Sequence, residues 1–311
     1  MFHDIVPELP EVQTVVSDLN RKIVGDTIVD FWSDWPSAIK NKTLADFKKE
    51  IKNRKILGVR RIGKNIFIDL SGGKTLYIHL KMTGHLLVKP AITKKQETIT
   101  KNYFDDKVNQ YIHHIWYLKS DKNHLTPTLS SKRRGGDKER TMEFSDVRKF
   151  AKIVLDDTQK ISQLPEIKKL GIDALDPQLT LKKFQEILSA KSGKKIGLLL
   201  MDQELISGIG NIYRSEILFE AGLLPTKMVK DLKESEWRKL YSSMKKVLGK
   251  AIKMRGTSDS DYRDTAGAPG SFQKVLQVYK RNGRKCFGCG IMIKRQMLGQ
   301  RSLFFCPQCQ K

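Results

Sequence analysis

Acidic residues are scarce in this chain: 34 Asp and Glu stand against 58 Lys and Arg among 311 residues, leaving a formal charge of +24. That field excludes cationic partners and favours phosphate polyanions, held by an attraction that weakens steeply with salt. Charge alone names no chemistry, and a ribosome-associated protein would show the same balance. Apolar runs of membrane-spanning length are missing, and Met1-Phe2-His3-Asp4 lacks the basic-then-apolar order of an export signal, so no membrane partner is expected. The chain has only 4 cysteines, too few to suggest a disulfide framework, and reduced thiols fit a cytoplasmic protein. No internal repeat is present, which excludes solenoid architectures.

What is there is concentrated at the C-terminus. Cys286-Phe287-Gly288-Cys289 is followed, sixteen residues on, by Cys306-Pro307-Gln308-Cys309. Two Cys-x-x-Cys pairs suit one tetrahedral zinc, each pair offering two thiolates from a tight turn. Four cysteines leave no open coordination position, so the zinc is expected to be structural. Ile291 to Phe305 alternates as a β-hairpin whose turn, Gly299-Gln300-Arg301, pushes a guanidinium outward.

The rest of the chain reads as strands followed by helices. Val12, Val15, Val16, Leu19 and Ile23 recur at helical spacing after Pro7, and Gly25 is a stop. Thr27 to Trp32 and Ile56 to Leu80 read as strands, with a hairpin turn at Ser71-Gly72-Gly73. Lys119 to Arg140 is polar, turn-rich and aperiodic, an inserted surface loop in which Lys132-Arg133-Arg134 reads as a solvated charge run. Ala91 to Asp106 is similarly uninformative. Asp156 to Pro177 reads as a linker. Thr180 caps a helix, a further helix runs through Leu198 to Gln203, and Gly208-Ile209-Gly210-Asn211 turns into a helix over 212–221. A long helix carrying Trp237, Leu240, Met244 and Leu248 stops near Gly256.

Three motifs in this order, PELPEV from Pro7, GIGNIYRSE from Gly208 and GQRSLFFCPQC from Gly299, resemble the formamidopyrimidine-DNA glycosylase family from about residue 7 to the end. The resemblance implies an α+β fold: an N-terminal β-sandwich with flanking helices, then a helical helix–two-turns–helix domain with a zinc-ribbon hairpin. It sets the expected divisions at 1–155 (catalytic, with an insert at about 119–140), 156–270 (DNA-binding) and 271–311 (zinc finger). It implies a DNA glycosylase/AP lyase that removes oxidised purines, such as formamidopyrimidines and 8-oxoguanine, with β- and δ-elimination. Its partner would be duplex DNA carrying oxidised bases or abasic sites, bound by a monomer.

The implied catalytic residues are Pro7 as nucleophile, Glu8 as general acid/base, Lys64 and Arg301. The implied DNA contacts are His79, Met82, Arg148, Phe150 and Asn211, with Met82 filling the gap left by a flipped nucleotide and Phe150 wedging between base pairs. Taken alone, Pro7-Glu8 reads as helix initiation, Lys64 as a strand-end lysine, Met82 as core and Gly210-Asn211 as an interhelical cap.

The chain departs from the family pattern in several places. Pro7 is acylated by Val6, and an amide nitrogen is no nucleophile, so translation is expected to begin at position 6, with the initiator methionine then removed. Gly197 stands where the family has a lysine, and Lys194 and Lys195 are the nearest replacements. Val147 and Lys149 replace a proline and an arginine, and Tyr111 replaces a DNA-contacting histidine, with His113 nearby. Leu9 and the segment from Thr257 to Phe272 favour the purine branch over an endonuclease VIII-like enzyme for oxidised pyrimidines. The other rival is a damaged-DNA-binding relative without catalysis, if the N-terminal extension is retained.

Overall fold

Helix α1 (Leu9–Ile23) organises the molecule because it is buried on two sides. Val12, Val15, Val16, Leu19 and Ile23 join a core with the N-terminal sheet, while Leu9 belongs to a second core built from later helices. Its N-cap Glu8 and its polar residues Glu11, Thr14 and Asp18 are buried as well. The amphipathic period recorded the first side only. The computed structural model describes residues 6–90, 103–120, 139–258 and 261–311. Met1 to Ile5, most of the Ala91 to Asp106 stretch, the heart of the expected insert with Lys132-Arg133-Arg134, and Asp259 and Ser260 lie outside the described residues.

After α1 come β1 (Asp26–Ser33), β2 (Ile39–Lys40), α2 (Leu44–Ile51), β3 (Arg54–Ile62), β4 (Asn65–Leu70), β5 (Lys74–His79), β6 (His85–Lys89), β7 (Ile112–Ser120), β8 (Glu139–Ser145) and β9 (Lys152–Asp157). They form one hydrogen-bonded order, β2-β9-β5-β4-β3-β1-β7-β8-β6. Its two halves are joined as strands through the pairing of Thr27 with Lys55 and of Ile28 with Arg54. Inward residues of both halves, Ile66, Ile68, Leu76, Ile78 and Ile153 from one and Phe31, Trp116, Met142 and Phe144 from the other, share one core with α1. The sandwich is thus a sheet folded across the β1–β3 seam. Each such side chain, fully buried, contributes roughly 1.5–3 kcal/mol.

The stretch read as a linker is structured. It carries α3 (Thr158–Ser162), α4 (Pro165–Lys168) and β10 (Ile172–Asp173). Ile161, Leu164 and Ile167 cover Phe67, Tyr77 and Val154 on the outer face of the sheet, apolar contacts that a polar linker would not make. Then follow α5 (Leu181–Ser189), α6 (Ile196–Leu199), β11 (Ile206–Ser207), α7 (Asn211–Ala221), α8 (Glu234–Lys253) and the hairpin β12 (Lys294–Leu298) and β13 (Arg301–Phe305). Helix α6 ends earlier than its sequence suggests. The Asp202 carboxylate accepts the Glu204 amide (3.0 Å), a local bond that competes with helix continuation.

The C-terminal hairpin is anchored on α7. Buried Glu216 accepts the amides of Gln277, Val278 and Tyr279 at 2.8, 2.9 and 2.9 Å. Phe304 and Cys306 bury into the second core. Arg301 opens β13 opposite Leu298, so the turn proper is Gly299-Gln300, with Gly299 at φ +62°.

Candidate active site

Two glycines let the start of α1 touch the start of α7. The Leu9 amide donates to the Gly208 carbonyl (3.1 Å), and a Cβ on Gly208 would lie 2.5 Å from Leu9 Cδ1. A Cβ on Gly210 would lie 2.3 Å from Glu8 Cδ. Through this gap the buried Glu8 carboxylate accepts the amides of Gly210 (2.8 Å), Ile212 (2.9 Å) and Tyr213 (3.3 Å). It occupies the positive end of α7, where an anion is favoured. Burial nevertheless raises its pKa, an effect only partly offset by Lys64 and these amides. Buried Pro7 immediately precedes it.

Gln203 braces this turn, accepting the Gly208 amide (2.9 Å) and donating to the Ile209 carbonyl (2.7 Å). Behind Glu8 sits Glu11, whose Oε2 accepts the Glu8 amide (2.9 Å) and whose Oε1 accepts the Tyr213 hydroxyl (2.6 Å) and the Thr257 amide (2.6 Å). Burial, reinforced by the neighbouring Glu8 charge, pushes the Glu11 carboxyl up to about 7. Glu11 links α1, α7 and the segment after α8 through one side chain. Its spacing three residues after Glu8 is that of a helix-capping acid, the signal by which sequence reading could have found it.

Lys64 arrives on the β3–β4 turn. Gly63 has φ +58°, and its amide donates to Asp173 Oδ2 (2.7 Å) on β10. Arg61 pairs with the same carboxylate, with Nη2 to Oδ1 at 2.9 Å. This clamp brings Lys64 into the field of Glu8, Glu11 and Arg301; burial lowers its pKa and the two carboxylates counteract that. Lys64 also lines a cleft of about 370 Å³ with His79, Lys81, Lys152, Glu166 and Gln203. His79 Nδ1 accepts the Lys81 amide (3.0 Å), which leaves Nε2 as the protonated nitrogen. Burial lowers His79 to about 3, so it is neutral at pH 7.

Met82, Arg148 and Phe150 are gathered by a residue given no role in the sequence, Asp146. This fully buried carboxylate accepts the Thr83 hydroxyl and the amides of Arg148 (3.2 Å), Phe150 (2.9 Å) and Ala151 (3.0 Å). Those bonds hold Lys149 at φ +55° and the Arg148 guanidinium 4.7 Å above the Phe150 ring, which is 50% exposed. Four donors on one carboxylate order the loop without the proline that Val147 replaces. Tyr111 adjoins it, its carbonyl accepting the Asp146 amide (3.0 Å), whereas His113 is buried against Asp34 (2.9 Å).

Asn211 begins α7, partly exposed beside the Glu8 pocket. Lys194 and Lys195 lie in the turn before α6, exposed and half-buried, and this turn is tied by its backbone to Met228 and Val229. A side chain at Gly197 would meet the Pro225 carbonyl at 2.7 Å and Leu298 at 3.1 Å, so the position is filled by packing. The four cysteine sulfurs lie within 4.8 Å of one another, Cys286 to Cys309 at 3.9 Å and Cys289 to Cys306 at 3.4 Å. The edge of a tetrahedron with zinc–sulfur bonds of about 2.3 Å is about 3.8 Å, so this donor set fits a metal ion.

Comparison with known proteins gives a consistent picture. Residues 6–153 match the family model described as Formamidopyrimidine-DNA glycosylase N-terminal domain, and residues 170–263 match Formamidopyrimidine-DNA glycosylase H2TH domain. A formamidopyrimidine-DNA glycosylase of Carboxydothermus hydrogenoformans is 36% identical over 306 residues, covering 98% of this chain and 100% of that one. One from Ureaplasma parvum is 31% identical with the same coverage. A Lactococcus lactis enzyme solved with DNA containing an abasic site superposes with a TM-score of 0.77 at 30% identity, covering 98% of this chain and 99% of that one. The same enzyme solved with DNA containing Fapy-dG gives 0.76 at 30% identity, covering 98% and 100%.

Proposed function

The chain belongs to the formamidopyrimidine-DNA glycosylase family, and from that premise we propose that it excises oxidised purines from duplex DNA and then cleaves the abasic strand through an imine on Pro7. The observation that carries the proposal is the carboxylate next to that proline. Glu8 is locked by three amides at the head of α7, and its pKa is raised by burial. A carboxyl that keeps its proton above the usual range can protonate the sugar ring oxygen as C1′ is attacked, then take protons back during elimination. Pro7 attacks through a secondary amine, which titrates near pH 8 when unacylated, so a useful fraction is neutral in the cell. The cationic iminium that forms is the electron sink for β- and then δ-elimination of the flanking phosphates.

Lys64 and Arg301 add positive charge around the same cleft, where phosphates beside an extruded nucleotide would lie. His79 supplies a neutral Nε2–H donor to backbone phosphate. The Asp146-ordered loop offers Arg148 to the orphaned base, with Phe150 as the wedge and Met82 filling the vacated stack. Cys286, Cys289, Cys306 and Cys309 would hold one zinc, whose contribution would be structural: four thiolates leave no position for substrate, and the site would brace the arm that carries Arg301. Oxidised purines are preferred in this reading because Leu9 and the segment from Thr257 to Phe272 resemble the purine branch. A Lactococcus lactis relative has also been solved with DNA containing an oxidised pyrimidine, so rates rather than binding must rank the lesions.

The test compares chains beginning at Met1 and at Pro7 on duplexes containing 8-oxoguanine opposite cytosine, with borohydride present to trap the iminium. The chain beginning at Pro7 is expected to excise the base and form a covalent adduct, and the longer one to do neither while Val6 acylates the nitrogen. A folded, zinc-loaded chain beginning at Pro7 that leaves every lesion duplex intact would leave only a DNA-binding protein.

A further inference from the structure

Among the described residues, the most deeply buried cation outside the proposed chemistry is Arg214. Its side chain is fully enclosed, on the first turn of α7, and its guanidinium bonds to α6, to β13 and back to its own helix. Nη1 donates to the Gly197 carbonyl (3.0 Å), Nη2 to the Ser302 carbonyl on β13 (3.3 Å), and Nη2 also to Asn211 Oδ1. Nε is buried without a partner. Burial lowers the group to about 10, helped by the nearby Arg301 charge and opposed by Glu8, so it stays charged at neutral pH. Ordinary core packing asks for none of this. A buried charge is retained at a cost in desolvation, and a well-packed apolar side chain is often as stable.

The consequence lies in the chemistry of the donor. A guanidinium has no acceptor, so whatever faces Nη2 must be the oxygen of the Asn211 carboxamide. The two Nδ2 hydrogens are thereby turned away from α7's interior toward the partly exposed side of Asn211. We infer that Arg214 is a positioning residue that presets the Asn211 carboxamide as a phosphate donor and couples it to the metal-binding hairpin through Ser302. The inference rests on the reading that Asn211, one of the DNA contacts the family resemblance implies, meets backbone phosphate. Without Arg214 the carboxamide is free to turn its oxygen toward the anion, which loses the donor and adds a reorganisation cost to binding. The bond to Ser302 means that DNA held by the hairpin and DNA held by α7 act on the same guanidinium. Gly197, where the family pattern has a lysine, leaves Arg214 as the cation bonded to that backbone.

A double-mutant cycle tests this on the full, zinc-loaded chain beginning at Pro7, with a duplex carrying a reduced abasic site as the probe. Asn211→Ala and Arg214→Met are each expected to weaken binding by about tenfold, and the double variant by little more than either alone, because coupled neighbours do not add. Independent multiplication of the two losses overturns the inference while leaving the phosphate contact intact. An Asn211→Ala variant that binds like the parent removes Asn211 from the interface and overturns both. Should Arg214→Met fail to fold or to hold zinc, the unsubstituted protein decides the matter by nuclear magnetic resonance. The Asn211 side-chain nitrogen, assigned by its loss in Asn211→Ala, is expected to show a relaxation order parameter as high as that of the α7 backbone in the DNA-free protein. A low order parameter, from a carboxamide turning about Cβ–Cγ, refutes it.

Discussion

Replacing Gly210 by alanine isolates the contact on which the proposed chemistry depends. The residue has φ −129° and ψ −158°, extended backbone that alanine adopts without strain, so the substitution acts only through the added methyl. That methyl would sit 2.3 Å from Glu8 Cδ, 2.4 Å from Oε1 and 2.7 Å from Cγ. Ordinary contact requires the carboxylate to withdraw by about 1 Å. The backbone cannot follow, because Leu9 is fully buried and its amide is bonded to the Gly208 carbonyl at 3.1 Å. The head of α7 then loses its acceptor for three amides, which as a lost cap costs about 1–2 kcal/mol, and the overpacking adds about 1–3 kcal/mol. A displacement of about 1 Å in a proton-transferring group lowers the chemical rate about a hundredfold. The assay is single-turnover excision of 8-oxoguanine with protein in excess, beside thermal unfolding and zinc content. Gly249 is the control: it lies within α8 with nothing near its Cβ position, and alanine there should stabilise by about 0.5–1 kcal/mol without touching the rate. A Gly210→Ala protein that excises within about threefold of the parent rate would falsify the placement of Glu8 at the reacting sugar.

Glu11 makes stability pH-dependent in an unusual direction. Its pKa rises from 4.5 to about 7 on folding, so between those values the unfolded chain sheds a proton that the folded chain keeps. Its contribution therefore falls as pH rises from 4.5 to 7, by roughly 3 kcal/mol, and is level outside that window. Glu11→Gln should flatten this slope in urea unfolding measured at both ends of the window, and an identical slope in both proteins contradicts the assignment. His79, held neutral by burial, should keep its Nε2–H tautomer well below pH 6 in nitrogen-detected spectra; a titration near 6.5 would mean that its ring is solvated. Removing metal with a chelator, or by Cys289→Ser, should release the hairpin and weaken duplex binding at least about tenfold while the N-terminal core still unfolds cooperatively. Undiminished binding by the metal-free protein rules out the braced-arm role of Arg301.

Much of the fold was legible because its signals are local. The period of Val12 to Ile23, the Gly72-Gly73 turn (φ +74° and +68°), the Thr180 cap and the glycine turn before α7 each depend on residues a few positions apart, and each stands in the structure. The cysteine cluster was legible for the same reason, since each Cys-x-x-Cys pair is a single turn. Asp146 and Arg214 are not legible, because in sequence an aspartate before a loop or an arginine on a helix reads as solvated. The stretch from Asp156 to Pro177 reads as a linker because its few apolar residues find their partners on strands about ninety positions earlier, as Ile161 meets Phe67.

The chain's composition and short-range order determined that it would have a basic surface, a strand-rich first part, a helical second part and a thiolate site. Only tertiary structure decided what the polar side of α1 is for. Glu8 meets amides more than 200 residues away, and Glu11 meets Thr257 across 246. Periodicity describes how one segment divides between core and solvent; it holds no record of a second body closing over the remaining side. When that body brings a helix terminus against a carboxylate and strips away its water, an ordinary helix-starting acid becomes a buried acid with a raised pKa. Desolvation is a property of the assembled surroundings, which is why no stretch of sequence carries it.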